Sequence, residues 1–181
     1  VQYVACAGNF KDAGLEYTGA LKVLQMIFSY EYLWIQIRVK GGAYGCMCSF
    51  SDQGDSMFVT YRDPNLSESY KVYDEAADYV ADFDADDRDM KKYIIGTIGS
   101  MDMPMEAVDM GARSFHAYFL GKTEADLQKV RDQVLSCTQE DIRALAPIVK
   151  AVVEAGNRCC IGNEEKIDQN KEYFDEVKHV L

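Results

Sequence analysis

The sequence predicts an α+β fold, a small and mostly antiparallel sheet with helices packed on it. Three observations predict it. Short runs at 3–7, 43–50, 57–62 and 158–161 read as strands, and the middle two alternate in polarity. Longer runs elsewhere repeat apolar residues three and four apart. The resulting order of strand, helix, two-strand hairpin, helices, strand and helix lacks the regular alternation of a doubly wound fold.

The first strand, 3–7, leads into a polar, glycine-bearing loop at 8–17. Thr18 is placed to cap a long helix that is expected to run to about Val39. Leu21, Leu24, Ile27, Phe28, Leu33, Trp34 and Ile37 wrap more than one of its faces, so it is expected to be the buried central helix. Lys40-Gly41-Gly42 ends it, because glycine accepts the left-handed conformation of a helix C-terminus. Ser51-Asp52-Gln53-Gly54-Asp55 joins the next two strands as a loose hairpin.

Asp63-Pro64 reads as a cap followed by the first residue of a helix. Leu66, Tyr70, Tyr73, Ala77 and Val80 then mark one buried stripe. An acidic segment, 82–89, leads into helices expected at 87–98, 105–120, 124–136 and 139–155. Thr123 with Asp126, and Thr138 with Asp141, have the spacing of capping boxes. Pro147 is expected to break or kink the last of these helices. The tail at 164–181 is charged and expected to be helical.

The chain of 181 residues suits one domain with a real core. Its net charge of -11 argues against a nucleic-acid partner and against an anionic membrane surface, both of which need a Lys/Arg patch. No apolar run is long enough to span a bilayer. The six cysteines do not form the dense framework of a small secreted domain, so reduced thiols and a cytoplasmic location are expected. Val1 opens directly into a strand, so the sequence reads as a fragment whose true N-terminus lies upstream.

Zinc hydrolysis requires three protein ligands and an open position for water. His116 and His179 are the only histidines and form neither helical zinc motif. His116, among Phe115, Ala117 and Tyr118, reads as a packing or surface residue. Cys46 and Cys48 share one strand face, and adjacent Cys159 and Cys160 point to opposite faces. Small buried thiols and a thiol or metal-binding module are the two readings of this set. No Gly-x-Ser-x-Gly elbow is present, and Gly41-Gly42-Ala43-Tyr44-Gly45 lacks the Lys-Ser/Thr of a phosphate loop.

Arg38 and Tyr44 flank the turn between the long helix and the next strand. If they converge, a planar charged donor and a neutral donor meet, a pair suited to a peptide carbonyl that gains negative charge. On the other reading, Arg38 complements the helix C-terminus and Tyr44 packs at the sheet edge. The residues alone leave both open.

Arg38-Val-Lys-Gly-Gly-Ala-Tyr44, with Phe58-Val-Thr-Tyr-Arg62-Asp63-Pro64-Asn65-Leu66, closely resembles the C-terminal domain of presequence proteases of the insulinase/pitrilysin superfamily. Lys91-Lys-Tyr-Ile-Ile-Gly-Thr97, Thr138-Gln-Glu-Asp-Ile-Arg143 and Ile161-Gly-Asn-Glu-Glu165 extend the likeness over nearly the whole chain. The resemblance implies an insulinase/mitochondrial-processing-peptidase-like domain, with helices on one face of the sheet. It implies that 1–181 is the single, non-zinc-binding C-terminal domain of a larger zinc metalloendopeptidase that encloses and degrades unfolded peptides. Zinc would be bound by a domain absent here, and this chain alone would hold none and be inactive. Its partners would be the upstream domains of the same polypeptide and the peptide substrate.

By motif match, Arg38 would contact substrate backbone and Tyr44 the scissile carbonyl and its oxyanion. Arg62-Asp63-Pro64 is read as structural. A catalytically dead subunit that pairs with a separate active partner is the alternative.

Overall fold

The computed structural model describes residues 1–179. Four antiparallel strands form the sheet: β1 (Gln2–Asn9), β2 (Gly45–Phe50), β3 (Asp55–Tyr61) and β4 (Asn157–Gly162), in the order β2-β3-β1-β4. The register places Cys48, Phe58, Cys6 and Arg158 in one row across it, and Cys46, Thr60, Val4 and Cys160 in the next. Val4, Cys6, Phe58 and Thr60 of these rows are buried, whereas Tyr3, Met47, Met57, Tyr61 and Ile161, on the other face, are exposed. That split is what period-two side chains produce when helices cover one side only.

Helix α1 (Ala20–Tyr30) buries Leu21, Leu24, Ile27 and Phe28 against this inner face. The helix expected to continue to Val39 is interrupted at Glu31. It resumes as a π-helical segment, Trp34–Lys40, with Gly41 N–H donating five residues back to Gln36 O at 3.0 Å. Trp34, expected to be buried, follows the break at Glu31 and is 43% exposed.

Asp63 and Pro64 precede the next helix and are not part of it; α2 (Ser67–Asp74) begins three residues after Pro64. Asp63 is fully buried, accepting from Asn65 N–H at 2.9 Å and from the Ser69 hydroxyl at 2.6 Å, so it fixes the turn instead of starting the helix. The stripe predicted from Leu66 to Val80 is buried except for Ala77, which is half-buried, and it runs on through α3 (Ala76–Ala81).

Helices α4 (Asp87–Met101), α5 (Ala107–Phe119) and α6 (Glu124–Leu135) follow. The 139–155 helix divides into α7 (Gln139–Arg143) and α8 (Ala146–Glu154), with Pro147 in the first turn of the second, where its missing N–H costs nothing. Both threonine capping boxes form, each satisfying two backbone donors reciprocally.

The tail is only briefly helical, as α9 (Glu164–Asp168) and a 3₁₀ turn at Lys171–Tyr173. Tyr173 and Phe174 then pack on Tyr70, with ring centroids at 5.1 and 6.1 Å, and that anchoring replaces the expected helix. Positions 180 and 181 of that expectation lie outside the described residues. Among the described residues no helix is long and apolar enough to cross a membrane.

Candidate functional site

The π-helical segment ends at the corner that leads into β2. Ile37 is buried and anchors it. Ala43 N–H donates to Ile37 O at 3.1 Å, and the Asn65 side chain donates to Gly41 O at 2.6 Å. A Cβ on Gly41 would stand 2.7 Å from Ile37 O, so only glycine fits this close approach, while Gly42 takes a φ of 78°. Tyr44 N–H then donates to Tyr61 O at 3.1 Å and starts the sheet pairing.

These constraints bring Arg38 and Tyr44 together. The guanidinium carbon lies 5.8 Å from the Tyr44 ring centroid and 5.7 Å from that of Trp34, within cation–π reach of both rings. Arg38 makes no hydrogen bond or ion pair among the described residues, and it donates to no carbonyl of its own helix terminus. Tyr44 packs edge-on against Tyr61 at 5.7 Å and stays 66% exposed. Tyr61 in turn packs on Tyr3 at 5.5 Å. The corner therefore presents five guanidinium N–H donors and one phenol O–H, oriented by ring contacts and not consumed by protein acceptors.

Trp34 was missed as a neighbour of this pair because its hydrophobicity placed it in the core. Its spacing of four from Arg38 was the available signal.

No group of three or more His, Cys, Asp or Glu among the described residues is arranged to hold a metal ion. Met26, Ser29 and Tyr30 line a cavity beside the corner at the one-four-five spacing of an inverted zinc motif, but they offer a thioether, a hydroxyl and a phenol. Cys46 and Cys160 end the same sheet row three strand spacings apart, about 14 Å, too far to share one ion. His116 is exposed on α5.

Burial pushes the thiols of Cys6, Cys46 and Cys160 up to about 11 and that of Cys137 to about 12; Arg38 opposes the rise at Cys46. Burial also drives Cys48 upward. All five are therefore expected to stay protonated at neutral pH. Cys159 is exposed. One thiol in six is therefore expected to react with a disulfide reagent within minutes at neutral pH, with the other five released on denaturation. Fast reaction of Cys46 or Cys48 would contradict this assignment.

A family model described as the PreP C-terminal domain matches residues 1–163. Protein HypA of Clostridium perfringens is 42% identical over 181 residues, which is all of this chain and 19% of HypA. Presequence protease 1, chloroplastic/mitochondrial, of Arabidopsis thaliana is 34% identical over 185 residues, covering 100% of this chain and 17% of its own length. The chain thus spans less than a fifth of the length of these curated relatives.

Among solved structures, a Bordetella pertussis Tohama I protein named as a zinc protease aligns with a TM-score of 0.64 at 14% identity, covering 88% of this chain and 91% of that one. The inactive peptidase domain of a protein so named from Bordetella parapertussis aligns at 0.63 and 13% identity, covering 89% of each chain. At such identities the likeness is one of fold.

Proposed function

The chain belongs to the PreP C-terminal domain family, and from that premise we propose that it binds substrate and stabilises the transition state for a zinc metalloendopeptidase. In this reading, 1–181 is one domain of a longer polypeptide whose other domains complete a closed chamber around an unfolded peptide. Arg38 holds the peptide backbone through its planar set of N–H donors. Tyr44 donates its phenolic proton to the scissile carbonyl oxygen, and that bond strengthens as the oxygen becomes an oxyanion.

The observation that carries this is the unspent guanidinium and phenol: Arg38 contacts the Trp34 and Tyr44 rings and has no acceptor among the described residues. In this reading the zinc is held by another part of the full-length protein, since the described residues offer no cluster of three metal-ligating side chains. The free cysteines suit a cytoplasmic protein.

The test uses the full-length protein. It should hydrolyse an unfolded peptide, lose that activity to a chelator and regain it with zinc. The 181-residue chain alone should do neither hydrolysis nor stoichiometric zinc binding. A full-length protein that cleaves only after a second, different chain is added would instead establish a partner-subunit role.

A further inference from the structure

A groove begins beside the Arg38–Tyr44 corner, at Trp34, which contacts Arg38, and follows β2, one of the two edge strands of the sheet. Its first part, about 750 Å³, starts at Trp34 and Cys46 and passes Met26 and Met101. Its second, about 450 Å³, reaches Arg113 and Lys122. Lys22, Ser100 and Met101 line both parts, so the two adjoin.

The far end is cationic in a chain whose net charge is -11. Lys22, Arg113 and Lys122 share that part with one carboxylate, Asp52, which is ion-paired to Lys122. Lys22 and Arg113 have no carboxylate partner among the described residues. Burial lowers the pKa of Lys22; Asp52 raises it, and the neighbouring cations Lys122 and Arg113 lower it further. A second negative charge at this end would offset the crowding of three cations. Lys22 and Trp34 are twelve positions apart on a path broken at Glu31, so at most roughly 18 Å at 1.5 Å per residue, or about five residues of extended peptide.

We infer that this groove takes the extended continuation of a peptide seated at Arg38 and Tyr44, and that Lys22 and Arg113 bind a carboxylate of that peptide. The inference rests on the peptide-binding reading of the corner. The carboxylate belongs either to an acidic side chain or to a free C-terminus, and the experiment separates them.

Binding is measured by calorimetry on the full-length protein, stripped of zinc so that the peptides stay uncut. Three short unstructured peptides of one parent sequence are titrated: glutamate-bearing and amidated, glutamine-bearing and amidated, and glutamine-bearing with a free C-terminus. One of the two carboxylate peptides is expected to bind about ten-fold more tightly than the neutral one, the scale of a charge-assisted contact in a half-open site. Whichever gains identifies the source. Lys22→Met and Arg113→Gln should each narrow the gap, and Arg113 is exposed, so its variant leaves the core intact.

Equal binding of all three peptides, still weakened by Arg38→Ala, would overturn the carboxylate subsite and leave the corner standing. A gap that persists unchanged in both variants would overturn it as well. Failure of every peptide to bind would overturn this inference together with the reading beneath it.

Discussion

Replacing Arg38 by alanine, or Tyr44 by phenylalanine, in the full-length protein is expected to lower peptide turnover by about ten- to a thousand-fold. The two variants should fail differently. Tyr44→Phe removes one O–H and preserves the ring that packs on Tyr61 and faces Arg38. Its donor matters most once the carbonyl oxygen is charged, so kcat should fall with KM little changed. In its proposed role Arg38 also holds the bound peptide, so with Arg38→Ala KM should rise while kcat falls. Arg38→Lys should restore little, because an ammonium lacks the planar fork and stacks poorly on Trp34 and Tyr44. Zinc content should be unaltered in all three. Wild-type rates from both Arg38→Ala and Tyr44→Phe would remove the corner from the mechanism.

How far the fold was legible in the sequence follows from which forces are local. The two Thr-x-x-Asp boxes were readable because each closes within four residues of chain. The strands were readable because alternation survives wherever one sheet face is buried. The break at Glu31 was not, since Leu33 and Ile37 keep a helical spacing of four while the chain passes into a π-helix. The bonds holding that segment run from Ala43 and Asn65, beyond the helix itself. For the same reason Trp34 was placed in the core.

The site divides in the same way. Arg38 and Tyr44 are six positions apart across a glycine turn, which allows their proximity without deciding it; the family resemblance is what favours it. The Tyr3–Tyr61–Tyr44 contacts depend on strand register, and the groove depends on α4, some sixty residues further on. Neither leaves a local trace. The tail shows the converse: its charge pattern suggested a helix, and three aromatic rings decided otherwise.

The largest stability loss is expected from Phe58→Ala. Phe58 is fully buried in the middle of β3 and touches three other rings, with centroids 5.8 Å from Phe28, 6.0 Å from Phe50 and 5.4 Å from Tyr73. Those rings come from α1, β2 and α2, so one side chain ties the sheet to two helices. Truncation leaves a cavity that four rigid elements cannot close, and about 3–5 kcal/mol of unfolding free energy should be lost. Tyr61→Ala, three residues along the same strand but on the open face, should cost far less, because much of that ring stays in water. Urea unfolding separates the two: the Phe58 variant should shift the midpoint strongly at constant slope, and the Tyr61 variant only slightly. Equal shifts would mean that both sheet faces carry the core. In the full-length protein the ranking should reverse for catalysis, because Tyr61 supports the Tyr44 ring directly while Phe58 only holds the sheet beneath it.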